Sequence, residues 1–337
     1  MSLPFEDPTV PTTPYGGSGG EPPRRRSVRR RLLRYGTVSV ALGLVAALVF
    51  GAIKVVTGWV GGVTGPPAPP LAKCKLAGSA YTVSPDQAGN AATIAGVALR
   101  QGLPERAVVI ALATALQESK LINLDYGDRD SLGLFQQRPS QGWGTPEQIQ
   151  DPVYATGRFY AALVKVPDWE VLPVAQVAQE VQRSGFPDAY AQWEEQATVL
   201  ARVLVRRVPA GVSCVFEPDE VAAEQADGTG LTPRAAAVLA AARAELGATR
   251  RPNGGELLPT TSPGNDVLAE FAAGYRSGHA LDLVPAGWFS ANWLVSQASA
   301  RSIRRVAYAG QLWTPDHGWQ RADAAQAPAD RIRVLVA

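Results

Sequence analysis

Apolar positions along this chain fall into blocks of different period. The first is nearly continuous: TVSVALGLVAALVFGAI, from Thr37 to Ile53, then Lys54, then VVTGWVGGV. A bilayer core takes about 20 apolar residues, so the run predicts a transmembrane helix within 35–63, with Lys54 snorkelling and Trp59 as an interfacial anchor. Further on the period is helical. AGNAATIAGVALRQ is amphipathic and ends at Gly102. PERAVVIALATALQESK follows, with Pro104 in the first turn and Glu105 near the positive end of the dipole. It is apolar on nearly every side from Ala107 to Leu116, which predicts a helix through the middle of its domain. TPEQIQ, DPVYATGRFYAALVKV, LPVAQVAQEVQRS and FPDAYAQWEEQATVLARVLVRRV continue the pattern, with one short extended piece around Ser131 to Gln137. After an acidic, turn-rich stretch the helices TPRAAAVLAAARAELG and AGWFSANWLVSQASA precede RRVAYAGQLWT and RIRVLVA, whose alternation predicts strands.

The 337 residues exceed what one core usually holds. The expected organisation is a disordered basic tail at 1–34, a membrane helix at 35–63, a Pro-rich stem at 64–73, a mostly helical domain at 74–214, a linker at 215–230 and a small α+β domain at 231–337. Net charge is only +2, so no global field argues for a nucleic-acid partner. The positive charge is local, in RRRSVRRRLLR from Arg24 to Arg34. Beside an apolar run, these arginines place the N-terminus in the cytoplasm and the remainder outside, at a cell membrane. Three other readings compete: a nucleic-acid arm, a cleaved signal peptide for which GWVGGVTGPP is a poor cut site, and a lipoprotein box at Leu71 to Cys74 spoiled by Lys73. Cys74 and Cys214 are the only cysteines, which outside the cytoplasm suggests a disulfide, against two buried free thiols.

The segment QESKLINLDYGDRDSLGLFQQ, Gln117 to Gln137, carries the chemistry. A carboxylate in the last turn of a helix faces the negative end of the dipole, and the preceding turns are Ala, Val, Ile and Leu. Both features favour a protonated Glu118, and a glycosidase proton donor is typically tuned to about pKa 6. The alternative is a solvated helix-end Glu balanced by Lys120.

Glu118-Ser119, followed by Ser131-Leu-Gly-Leu-Phe-Gln136, resembles the Glu-Ser and Gly-Leu-Met-Gln signature of lytic transglycosylases and goose-type lysozymes, over about Ser84 to Leu204. Those enzymes cleave the β-1,4 bond between N-acetylmuramic acid and N-acetylglucosamine in peptidoglycan. The resemblance implies a lysozyme-like fold with Glu118 as general acid and Ser119, Ser131, Gly133, Phe135 and Gln136 lining the cleft. Gly127-Asp128-Arg129 is similar to the Gly-Asp-Arg of goose-type lysozymes, which makes Asp128 a second catalytic candidate. Tyr160, Gln182 and Tyr190 are cleft candidates by similarity to later motifs, against ordinary packing. Arg138 stands where goose-type lysozymes carry a carboxylate, which weakens a two-carboxylate mechanism and leaves Asp125 and Asp130 as substitutes. The simplest mechanism lets the sugar acetamido group assist and yields a 1,6-anhydro end.

The stretch SGHALDL, Ser277 to Leu283, and the ending DRIRVLV resemble wall-associated domains related to zinc D-Ala-D-Ala peptidases. Asp282 matches a ligand position, but Arg331 and Arg333 replace the final histidines, and His279 falls where that group has Arg. Arginine cannot ligate zinc, so this part is expected to be metal-free and noncatalytic. The expected fold class is therefore a single-pass membrane protein with a mostly α lysozyme-like domain and a small C-terminal α+β domain. No cofactor is expected. Expected partners are peptidoglycan glycan strands, the membrane through one helix and cell-wall or division proteins. The competing function is a noncatalytic wall-binding scaffold; a transporter would need several spans.

Overall fold

Ser84 starts the first long helix by a reciprocal cap. Its Oγ accepts from the Gln87 N–H at 3.2 Å, while Gln87 Oε1 accepts from the Ser84 N–H at 2.8 Å. This helix, α1 (Pro85–Arg100), packs against α2 (Glu105–Ser119), which runs through the centre as its all-round apolar pattern requires. Pro104 occupies the cap position of α2, one place before the first turn. In the computed structural model the described residues are 72–185, 187–206, 208–225, 231–247, 260–261, 267–272, 286–329 and 331–337. The chain divides into Met1–Ala68 and Pro69–Ala337. The first unit, with the basic tail, the run at 35–63 and the first half of the Pro-rich stem, lies outside the described residues.

The expectation of a single-pass membrane protein is corrected. Among the described residues no helix is long and apolar enough to cross a membrane. The two longest helices among the described residues, α1 with 16 residues and α2 with 15, reach only about 24 and about 22 Å at 1.5 Å per residue, against a hydrocarbon thickness of about 30 Å, and α2 is the central one. Its apolar surface is covered by protein: Ile110, Leu112 and Ala113 are fully buried. The described residues form an α+β structure with two small antiparallel sheets.

Around α1 and α2 are α3 (Pro146–Gln150), α4 (Pro152–Leu163), α5 (Val174–Gln182), a 3-10 turn at Pro187–Trp193 and α6 (Glu194–Val205). Glu105 Oε2 accepts from Arg206 Nε at 2.6 Å and ties the start of α2 to the end of α6. The smaller sheet joins β1 (Lys73–Leu76), β2 (Thr82–Val83) and β3 (Val212–Val215) in the order β2-β1-β3. Cys74 faces Cys214 across β1 and β3, and the two form the disulfide.

After the acidic stretch come α7 (Pro233–Leu246), β4 (Thr260–Thr261), β5 (Val267–Ala272), α8 (Ala286–Ser296), β6 (Ile303–Tyr308), β7 (Gln311–Thr314), β8 (Gly318–Arg321) and β9 (Arg331–Val336). Their sheet runs β4-β5-β9-β6-β7-β8. One buried cluster spans both sides of the acidic stretch. Polar side chains reinforce that junction. Asn292 is fully buried, donating to Val203 O and Val208 O while accepting from the Val212 N–H. Trp313 Nε1 donates to Cys214 O at 3.0 Å and Trp319 Nε1 to Val212 O at 2.8 Å. The Glu245 carboxylate, 2% exposed, accepts from Trp293 Nε1 at 2.7 Å, Thr93 Oγ1 at 2.8 Å and Arg301 Nη2 at 3.2 Å. Burial raises its pKa despite these partners.

His279 and Asp282 lie outside the described residues. Arg331 and Arg333 both fall in β9, and Arg333 Nη1 donates to Ala325 O at 2.6 Å.

Candidate active site

The end of α2 is fixed by an unusual turn. Lys120 and Leu121 are both left-handed, at φ 57° and 60°, and the Leu121 N–H reaches back to Ala115 O at 3.1 Å. Two side chains of α1 pin this turn: Gln87 Nε2 donates to Lys120 O and Asn90 Nδ2 to Leu121 O, each at 2.8 Å. Leu121 is itself fully buried, so the reversal is held by both packing and hydrogen bonds. Glu118 therefore sits in a rigid last helical turn and is half-buried.

Tyr190 approaches from the 3-10 turn, and its hydroxyl donates to Glu118 Oε1 at 2.6 Å. Burial first, and this bond second, raise the Tyr190 pKa well above its ordinary value, so the phenol stays a donor at neutral pH. Beside Glu118, Gln117 Oε1 accepts from Trp193 Nε1 at 2.7 Å, and Lys120 Nζ lies 4.2 Å from the Trp193 ring centre. Desolvation lowers the Lys120 pKa, with Glu118 acting in the opposite direction. Gln117 and Trp193 were not singled out in the sequence; the only signal was their adjacency to Glu118 and to the Tyr190 segment.

Ser119 links the helix to the next wall. It is buried, and its Oγ donates to Leu134 O at 2.7 Å. The segment it meets is a tight bend closed by the bridge between Leu132 and Gln137. Gly133 has φ 75° and donates its N–H to Leu124 O at 2.7 Å; a Cβ there would come within 2.7 Å of Ile149 O. Gly127 is needed for space, since its Cβ would stand 2.6 Å from the backbone oxygen of Ser131. Gln136, at φ 47°, donates from Nε2 to Tyr126 O at 3.2 Å. Ser131 is buried at the base of this bend, with its N–H bonded to Asp128 O. Phe135 is fully buried and stacks on Phe159 with ring centres 4.6 Å apart, so it supports the wall from below. Gln182, at the end of α5, donates from Nε2 to Phe135 O at 2.8 Å.

The structure thus brings Glu118, Ser119, Ser131, Gly133, Phe135, Gln136, Gln182 and Tyr190 into one connected set. Two candidates stand apart from it. Tyr160 is fully buried and donates to Ile94 O at 3.0 Å inside the core. The Asp128 side chain is 94% exposed, with only Arg129 nearby at 3.9 Å. Asp125 is exposed as well. Asp130 is engaged: Arg138 Nε lies 2.7 Å from its Oδ1 and the Ser140 N–H 2.8 Å from its Oδ2. Bonds from Ser140, then from Arg138, hold its carboxyl well below the usual carboxylate range.

Next to this set lies an open groove of about 890 Å³ between α4 and α5, lined also by Gln141, Gly142 and Trp143. Gln182 is common to both; Glu118 is not part of the groove lining. Among the described residues no cluster of His, Cys, Asp and Glu could hold a metal ion. No family model matches this chain, and no curated protein matches it.

Proposed function

We propose that this protein cleaves peptidoglycan glycan strands at the N-acetylmuramic acid β-1,4 N-acetylglucosamine bond, as a lytic transglycosylase outside the cytoplasm. The observation that carries the reading is the bond from Tyr190 to Glu118 at a rigid helix end, beside the bend that holds Gln136. The Cys74–Cys214 disulfide supports an oxidising compartment.

In this reading Glu118 gives a proton to the glycosidic oxygen as the C1–O bond breaks, and the leaving sugar departs as an alcohol. The acetamido carbonyl oxygen of the remaining sugar stabilises the developing cation at C1. The Glu118 carboxylate then accepts the proton of the 6-hydroxyl as O6 bonds to C1, which closes the 1,6-anhydro ring and restores the acid. Tyr190 orients the carboxyl through both steps. A direct inverting hydrolysis needs a second free carboxylate across the cleft. Asp130 is occupied by Arg138 and Ser140, and Asp128 points into solvent, which favours the substrate-assisted route.

The same arrangement of Asp130 and Asp128 also favours a second reading, a cleft that holds glycan without cutting it. Mass analysis of soluble products from purified peptidoglycan separates the readings. Anhydro-muropeptides are expected; reducing ends would assign hydrolysis, and retention of glycan with no release would assign the binding role.

A further inference from the structure

We propose that the groove between α4 and α5 binds the short peptide that peptidoglycan carries on each N-acetylmuramic acid, so that the protein selects peptide-bearing over bare glycan. This rests on the function proposed above and names a part of the substrate that the Glu118 site does not touch.

Two features of the groove point to such a ligand. First, its lining carries charges of both signs that are left unpaired. Lys165, Asp168, Glu180 and Arg183 all line it, all are exposed, and none takes part in an ion pair among the described residues. These charges of opposite sign line one shared concavity, open to a ligand that carries both. Arg158 adds a third cation, so cations exceed acids by one. A bare glycan of N-acetylated sugars offers no ammonium and few carboxylates. A wall peptide offers several free carboxylates and one diamino-acid ammonium, which matches a mixed lining with a positive excess. The volume of about 890 Å³ is within the usual range of roughly 300–1,000 Å³ for ligand sites.

Second, the groove is coupled to the candidate catalytic wall. Gln182 lines the groove and donates to Phe135 O, in the bend that also holds Gln136. Arg158 Nη2 donates to Gly142 O at 3.2 Å and ties α4 to the loop that carries the lining residue Trp143. A peptide leaving a sugar seated near Glu118 would enter at Gln182 and run toward Arg183 and Lys165.

The test uses the whole protein and two substrates: intact peptidoglycan strands and the same strands stripped of peptides by an amidase. The wild-type protein is expected to cut intact strands about tenfold faster in kcat/KM. The double variant Lys165→Gln, Arg183→Gln is expected to lower that preference to threefold or less, since exposed charge contacts are worth a few-fold each. Equal rates on both substrates in the wild type would overturn the proposal while leaving the proposed function intact. If neither substrate is cut, the function fails and the groove is read separately by NMR titration with a free tetrapeptide containing diaminopimelate. Saturable binding that weakens several-fold in the double variant supports the groove; absent binding, or binding indifferent to the two substitutions, overturns it.

Discussion

The Tyr190 hydroxyl lies 2.6 Å from Glu118 Oε1, joining two residues 72 positions apart. Once Glu118 has given up its proton this bond goes to a charged group, where it contributes about 1.5–3 kcal/mol, and about 1.4 kcal/mol corresponds to tenfold in rate. Tyr190→Phe keeps the buried ring and removes only this bond. We expect peptidoglycan release to fall about 10- to 100-fold with little change in Tm, read by product quantification beside a melting curve.

Glu245 and Asp130 predict opposite pH trends. The folded pKa of Glu245 is raised above the ordinary 4.5, so its contribution to stability is fully present in acid and is lost as pH rises from there through the folded value. Glu245→Gln should therefore gain on the wild type as pH rises above the ordinary carboxylate value. The folded pKa of Asp130 is lowered below the ordinary 3.8, so its contribution is present above that value and is lost as pH falls. Asp130→Asn should flatten the acid limb of the Tm–pH curve. Melting curves at several pH values check both.

Cys74 and Cys214 close a loop with a sequence separation of 140 and join the central strand β1 of the smaller sheet to its edge strand β3. Replacing both by Ser is expected to lower stability by about 2–5 kcal/mol. Denaturant titration with and without reductant measures it; the wild type under reductant should approach the variant.

What the sequence revealed depended on how local the cause was. The end of α2 was visible because polar Gln117, Glu118 and Ser119 follow an apolar run, and β6, β7 and β9 were visible through their alternation. The four-residue strands β1 and β3 were not, since so short a piece carries no period and its pairing is set by a residue far along the chain. Tyr160 and Tyr190 could not be told apart in the same way: one faces Ile94 O and the other Glu118, a difference made only by packing. Pairing of Asp130 with Arg138 likewise depends on the bend between them. The membrane class was drawn from 35–63, whereas the apolar helices among the described residues are buried by protein rather than long enough for lipid.

Glu118→Gln tests the central claim most directly. It keeps size and a hydrogen-bonding oxygen for Tyr190 but has no proton to give a glycosidic oxygen. Incubated with purified peptidoglycan and followed by mass analysis of soluble products, the wild-type protein should release anhydro-muropeptides, and the variant, with an unchanged melting curve, should release none. Full activity in the variant would contradict the account.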